Sequence, residues 1–221
     1  MDIRTLRNNL IDATVVLVGN GPSLDRTPLE ELSRKYVTFG QNHIYKKPFT
    51  PTYYAYADFD IKSYLPFPEG FAPKEKFVRA EVSHLVPGSY PIYPIVMPVN
   101  FFSTDISNFV VFGGSTTYIL LQIALFMGVK TVLLVGVDHY YPVAGDGKPG
   151  VHFTAGDTDP DHFAGGYYVP GKKYTRPSLD VVKEYFRTAD GAYKNAGSRI
   201  YNCTPDTHLD VFEKREISEW L

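Results

Sequence analysis

The chain has 221 residues, 44% hydrophobic and 21% charged, with a formal net charge of -2, a balance that fits one folded α/β domain with a sizeable core and excludes long disorder and fibrous structure. So little net charge supplies no general attraction to nucleic acid or to an anionic membrane, so any phosphate site has to be built locally. The single cysteine, Cys203, excludes an internal disulfide and a multi-cysteine zinc site and fits a reducing compartment.

Met1-Asp2-Ile3-Arg4 leads into a polar segment rather than an apolar signal core, and no apolar run approaches bilayer length, so no transmembrane segment and a cytoplasmic location are expected. Thr14-Val15-Val16-Leu17-Val18 is a β-branched apolar run suited to a strand buried on both faces of a parallel sheet. The turn Gly19-Asn20-Gly21-Pro22-Ser23 follows, and Ser23 or Asp25 can cap a helix over Leu29, Glu30 and Leu32. Tyr36 to Gly40 predicts a second strand that delivers Gln41-Asn42-His43, completing a βαβ unit. Tyr53 to Ala57 predicts a third, ending at Asp58-Phe59-Asp60, while the proline-rich stretch from 66 to 98 predicts loops and short strands.

Gly113-Gly114-Ser115-Thr116-Thr117 opens a nearly continuous apolar run, Tyr118 to Met127, which predicts a buried helix stopped by Gly128. Thr131 to Asp138 predicts a central strand with a polar exit, the place where open α/β sheets bind ligands. Residues 140–177 are rich in Gly, Pro, Asp, His and Tyr and predict a lid-like insertion. Pro177-Ser178 opens an amphipathic helix through Leu179, Val182, Tyr185, Phe186 and Ala189, and Arg199 to Cys203 predicts a last strand.

Several groups carry chemistry, each beside an ordinary structural alternative. Glycines at a strand-to-helix turn let an anion approach backbone N–H groups, although the spacing matches neither a Walker sequence nor the dinucleotide fingerprint, and a tight turn without ligand explains it equally. Asp58 and Asp60 are spaced to share a hard cation such as magnesium; two solvated aspartates are the alternative. Ser115 and Thr116 stand at a helix start, where capping is the plain reading. His162, beside carboxylates in Asp159-Pro160-Asp161-His162, is a candidate general base. His139 and His152 lie near it in the chain, in no zinc spacing. Tyr140, Tyr141, Tyr167, Tyr168 and Tyr174 can donate to phosphate or stack, with packing the default for most.

Taken together, Val16-Leu17-Val18-Gly19-Asn20-Gly21-Pro22-Ser23-Leu24, Gln41-Asn42, and Gly114-Ser115-Thr116-Thr117 followed by Gly136-Val137-Asp138 resemble one superfamily over most of the chain. It unites the bacterial lipooligosaccharide sialyltransferases, which use a cytidine monophosphate sugar, with proteins similar to archaeal 6-hydroxymethylpterin diphosphokinase. The resemblance implies a Rossmann-like, mostly parallel sheet with helices on both faces, and a nucleotide pocket lined by Asn20, Asn42 and Ser115, with Tyr140 or Tyr141 on the phosphate. Two positions depart from the sialyltransferase pattern. Its base histidine aligns near Gly166 or Tyr167 rather than at His162, and Asp58 replaces an asparagine.

The expectation that follows is a glycosyltransferase-like enzyme taking a nucleotide-activated sugar to a glycan precursor, without an organic cofactor. Gly19, Asn20, Gly21, Ser23, Asn42, Ser115, Thr116 and Tyr140 would bind the nucleotide, Asp58 and Asp60 a magnesium ion, and His162 and Asp138 would act in catalysis. The alternatives are diphosphoryl transfer from ATP to a pterin-like acceptor, and a nucleotide-binding module without chemistry.

Overall fold

The computed structural model describes residues 1–58, 65–141 and 151–221. Its strands are β1 (Thr14–Val18), β2 (Val37–Gln41), β3 (Tyr53–Tyr56), β4 (Glu75–Arg79), β5 (Tyr90–Ile92), β6 (Pro94–Ile95), β7 (Val110–Val111), β8 (Thr131–Val135), β9 (Val151–Thr154), β10 (Lys173–Arg176), β11 (Arg199–Asn202) and β12 (Glu213–Lys214). The α-helices are α1 (Leu29–Lys35), α2 (Thr116–Phe126) and α3 (Leu179–Asn195). Eight strands form one sheet in the order β12-β11-β8-β1-β2-β3-β4-β5, and every adjacent pair is parallel.

The alternation of side chains along β1 explains why the sheet is covered twice. Val15 and Leu17 join a core with Leu121 of α2 and Phe186 of α3, while Val16 and Val18 join a second core with Leu24, Leu29 and Leu32 on the opposite face. All four β1 side chains are fully buried, and each contributes about 1.5–3 kcal/mol relative to exposure. Parallel neighbours need a crossover, and the segment holding α1 supplies the one from β1 to β2. This is the expected Rossmann-like class.

Element boundaries from the sequence hold to within a residue or two for β1, β2, β3, α2 and β11. The stretch 66–98, expected as loops and short strands, also supplies β4 and β5 and so widens the main sheet. One buried polar side chain organises the start of α2. The Gln122 oxygen accepts from Ser103 N (3.2 Å) and Val111 N (2.8 Å), and its amide donates to Val111 O (2.8 Å) and Tyr118 O (3.0 Å). With all four capacities used, burial of this amide is compensated and β7 is fastened to the helix.

Within the expected insertion, residues 142–150 lie outside the described residues. The described part is an antiparallel hairpin of β9 and β10 with a long intervening loop. That loop returns to the carboxyl edge of the main sheet, where Phe163 N donates to Asn20 O (3.1 Å).

Candidate active site

The exits of β1, β2 and β8, the start of α2 and the loop between β9 and β10 enclose a cleft of about 1180 Å³. Asn20, Asn42, Ser115, Thr116, Asp138, Tyr140 and His162 all line it, as do Gly19, Gly21 and Asp58 at its edge. Ser23 is absent from this lining. The cleft occupies the position at which parallel α/β sheets hold ligands.

Of the two readings of the glycine turn, the packing one has a direct structural cause. Gly19 N donates to Val135 O (2.8 Å), Gly21 N to Gly136 O (2.8 Å) and Leu24 N to Gly21 O (3.1 Å), and Ser23 N donates to Asp138 Oδ1 (3.0 Å). These amides are therefore spent inside the fold, and Pro22 has none to give. The glycines are required because the β8 exit presses on the turn. A Cβ on Gly19 would lie 2.2 Å from the Gly136 carbonyl oxygen, and one on Gly21 would lie 1.8 Å from Asp138 Oδ2. The turn is thus braced against the β8 exit, with the Gly19, Gly21 and Ser23 amides engaged there.

Asp138 is the other half of that brace. Its Oδ2 accepts from Ser23 Oγ (2.7 Å), so both carboxylate oxygens bind Ser23 and lock the turn against β8. Burial pushes its pKa up against the lowering effect of the Ser23 hydrogen bonds. Asp138 lines the cleft with its carboxylate engaged by Ser23, whereas Ser23, expected to bind nucleotide, is turned to that bond and lies outside the lining.

The residues expected to bind nucleotide do converge across the cleft floor. Asn20 Nδ2 donates to Gln41 O (3.1 Å), leaving Asn20 Oδ1 buried without a partner among the described residues. Gln41 Nε2 donates to Thr117 Oγ1 (2.8 Å), and Thr116 Oγ1 donates to Asn42 Oδ1 (3.3 Å), so the β2 exit is tied to the first turn of α2. Ser115 caps that helix, its Oγ accepting from Thr117 N (3.1 Å). Asn42 has φ +47°, a left-handed conformation that asparagine tolerates better than most residues, held by the Tyr54 hydroxyl donating to Asn42 O (2.7 Å).

His162, on the loop between β9 and β10, lines the same cleft. Its Nδ1 lies 3.0 and 3.1 Å from the two oxygens of Asp159, whose side chain is 2% exposed. Burial pushes Asp159 up, but the His162 hydrogen bond and charge and the amides of Asp161 and Tyr168 outweigh it, and its pKa falls below the usual value. The Tyr167 ring lies flat on the imidazole, with centroids 3.5 Å apart and planes 1° from parallel. His43, immediately after Asn42, meets the edge of Tyr167 at 4.3 Å, and its Nδ1 lies 2.7 Å from the Tyr45 hydroxyl. Sequence reasoning passed over His43, although its position beside Asn42 put it within reach of the cleft.

Desolvation, helped by Lys46 and His162, pushes His43 down to about 3. A histidine with a folded pKa below its unfolded value of about 6.5 contributes stability above pH 6.5 that is lost as pH falls toward 3. Urea melts should therefore show the wild type losing about 1–2 kcal/mol between pH 7 and pH 5 through this group, and His43→Gln should flatten that dependence. An unchanged slope in the variant would remove His43 as its source.

Tyr140 is 47% exposed and stacks on His208 at 4.8 Å. Asp58 is exposed at the end of β3, and Asp60 lies outside the described residues. His152 shares a hydrogen bond with Thr175 (2.9 Å), and His139 packs near Phe186. Among the described residues, no three His, Cys, Asp or Glu side chains gather closely enough to hold a metal ion, and no helix is long and apolar enough to cross a membrane.

These features define an α/β Rossmann-like chain with a polar and aromatic cleft at the carboxyl edge of its sheet. No family model matches it, and no curated protein sequence matches it. Three solved structures are similar in fold. The Maf glycosyltransferase from Magnetospirillum magneticum AMB-1 matches with a TM-score of 0.60 and 17% identity, covering 100% of this chain and 38% of that one. The monofunctional α-2,3-sialyltransferase Cst-I from Campylobacter jejuni matches with a TM-score of 0.59 and 17% identity, over 94% of this chain and 83% of that one. The sialyltransferase CstII from the same organism, solved in complex with a substrate analogue, cytidine-5'-monophosphate, matches with a TM-score of 0.53 and 12% identity, over 92% of this chain and 85% of that one. The chain thus spans only 38% of the Magnetospirillum structure.

Proposed function

We propose that the chain is a glycosyltransferase-like enzyme that binds a nucleotide-activated sugar, of the cytidine monophosphate type, and transfers the sugar to a hydroxyl of a glycan precursor. The observation that carries this reading is that Asn20, Asn42, Ser115 and His162 line one cleft, with the His162 imidazole held by Asp159. The fold similarity to enzymes named as glycosyltransferases supports it. Asn20 Oδ1, Asn42 and Ser115 would orient the nucleotide. The acceptor oxygen would attack the anomeric carbon as the bond from that carbon to the phosphate oxygen breaks, its electron pair leaving with the nucleotide. With Nδ1 committed to Asp159, Nε2 of His162 would take the acceptor proton.

Thermal denaturation with CMP, UDP, GDP and ATP, each with and without magnesium, tests the reading, because a ligand that binds the folded state raises the melting temperature. The expected result is stabilisation by CMP without metal. Stabilisation by magnesium-ATP alone would overturn it in favour of diphosphoryl transfer, with Asp58 the candidate to hold the metal. Binding without turnover of any nucleotide sugar would leave a binding module.

A further inference from the structure

Behind His162 the cleft wall holds a buried ion pair. Arg176 Nε and Nη2 both donate to Asp161 Oδ2, at 3.0 and 2.5 Å, and the two side chains are 2% and 1% exposed. Because both bonds go to one oxygen, Arg176 Nη1 and Asp161 Oδ1 are left buried without a hydrogen-bond partner among the described residues. Unmade bonds of this kind are costly on charged groups. The immediate surroundings offer ring faces in place of partners, with Phe153 and Tyr141 centred 4.2 and 5.1 Å from the guanidinium carbon. Tyr168 packs against both Phe153 and Tyr174, and Tyr141, Tyr168 and Tyr174 line the cleft with the ion pair.

We infer that this corner is a subsite for a neutral sugar ring of the acceptor, an inference that rests on the glycosyl-transfer reading. A hydroxyl accepts and donates at once, so the hydroxyls of a pyranoside satisfy both Arg176 Nη1 and Asp161 Oδ1. A carboxylate or phosphate would gain the arginine donor but face the Asp161 charge, and a cation would meet the reverse problem. The pair has no net charge and selects a neutral polar ligand, while the tyrosine faces suit the apolar side of a sugar ring. Asp161 directly precedes His162, and its backbone N–H donates to Asp159 Oδ1 (3.1 Å). The carboxylate that orients the base therefore also anchors this subsite.

Ligand-observed NMR on the chain, titrated with methyl β-D-galactopyranoside and methyl β-D-glucopyranoside, tests the inference, with acetate as an anionic control and CMP titrated separately. Saturable binding of at least one glycoside is expected in the wild type, weaker by about tenfold or more in Arg176→Gln and Asp161→Asn, with CMP affinity unchanged. Removing one partner strands a buried charge and can unfold the chain, so the double variant D161L/R176M, which removes both charges, keeps the test decisive. It should retain CMP binding and lose the glycoside. Equal glycoside binding in that variant and the wild type, no glycoside binding in a wild type that binds CMP, or preference for acetate would each overturn the subsite. Glycoside binding without CMP binding would instead sink the nucleotide-sugar reading and leave the subsite standing.

Discussion

Gly19→Ala is expected to destabilise the chain by about 3 kcal/mol, at the upper end of the usual overpacking range, and to lower its melting temperature by roughly 10 °C. The added Cβ would meet the Gly136 carbonyl oxygen at 2.2 Å and its carbonyl carbon at 2.8 Å, and this obstacle is backbone in the middle of a parallel sheet, held by the Gly19 N to Val135 O bond. No rotamer change relieves it. Gly21→Ala differs in kind, since its nearest obstacle is the Asp138 carboxylate, with Gly136 O at 3.0 Å. Adding Asp138→Ala to Gly21→Ala should recover part of the loss, a coupling that a double-mutant cycle in urea measures. A Gly19→Ala melting curve superimposable on the wild type would refute the brace.

The second large effect is kinetic. On the proposed mechanism His162→Ala should slow sugar transfer by about 10²–10⁴-fold, the usual contribution of a positioned base, without changing CMP affinity in the thermal-shift assay, because the contacts proposed for the nucleotide come from Asn20, Asn42 and Ser115. Asp159→Asn should reproduce much of that loss in kcat with little change in acceptor KM, since the amide no longer fixes which imidazole nitrogen faces the acceptor. A folded His162→Ala chain transferring sugar at the wild-type rate would discard the histidine from the mechanism. The loop carrying His162 is pinned beside Asn20, because Phe163 N donates to Asn20 O.

What could be read without coordinates follows the strength of local patterning. The continuous apolar runs of β1, β8 and α2 announced themselves because both faces of each are buried. β4 was hidden because only Phe77 and Val78 of Glu75-Lys76-Phe77-Val78-Arg79 are buried, so charge at both ends masks a strand in a proline-rich stretch. Asn20, Asn42, Ser115 and His162 were legible as cleft residues, since strand exits and a helix start converge at the same edge of a parallel sheet. The reason for the glycines was not legible. Whether a turn is tight for an anion or for a neighbouring strand depends on what presses against it, and the partner, Gly136 to Asp138, is more than a hundred residues away in the chain. The Asp161–Arg176 pair escaped notice for the same reason, because it forms only once β10 folds back on the loop.

The two margins of the sheet bear on how copies of this chain meet. At one border β12 offers just two residues, Glu213 and Lys214, both exposed and charged, and at the other β5 places Pro91 at its centre, where no N–H is available for a further ladder. Strand addition from a neighbouring molecule is discouraged on both flanks. The eight-stranded sheet is thereby kept finite at both borders, where neither terminal strand offers a long regular ladder to a further one.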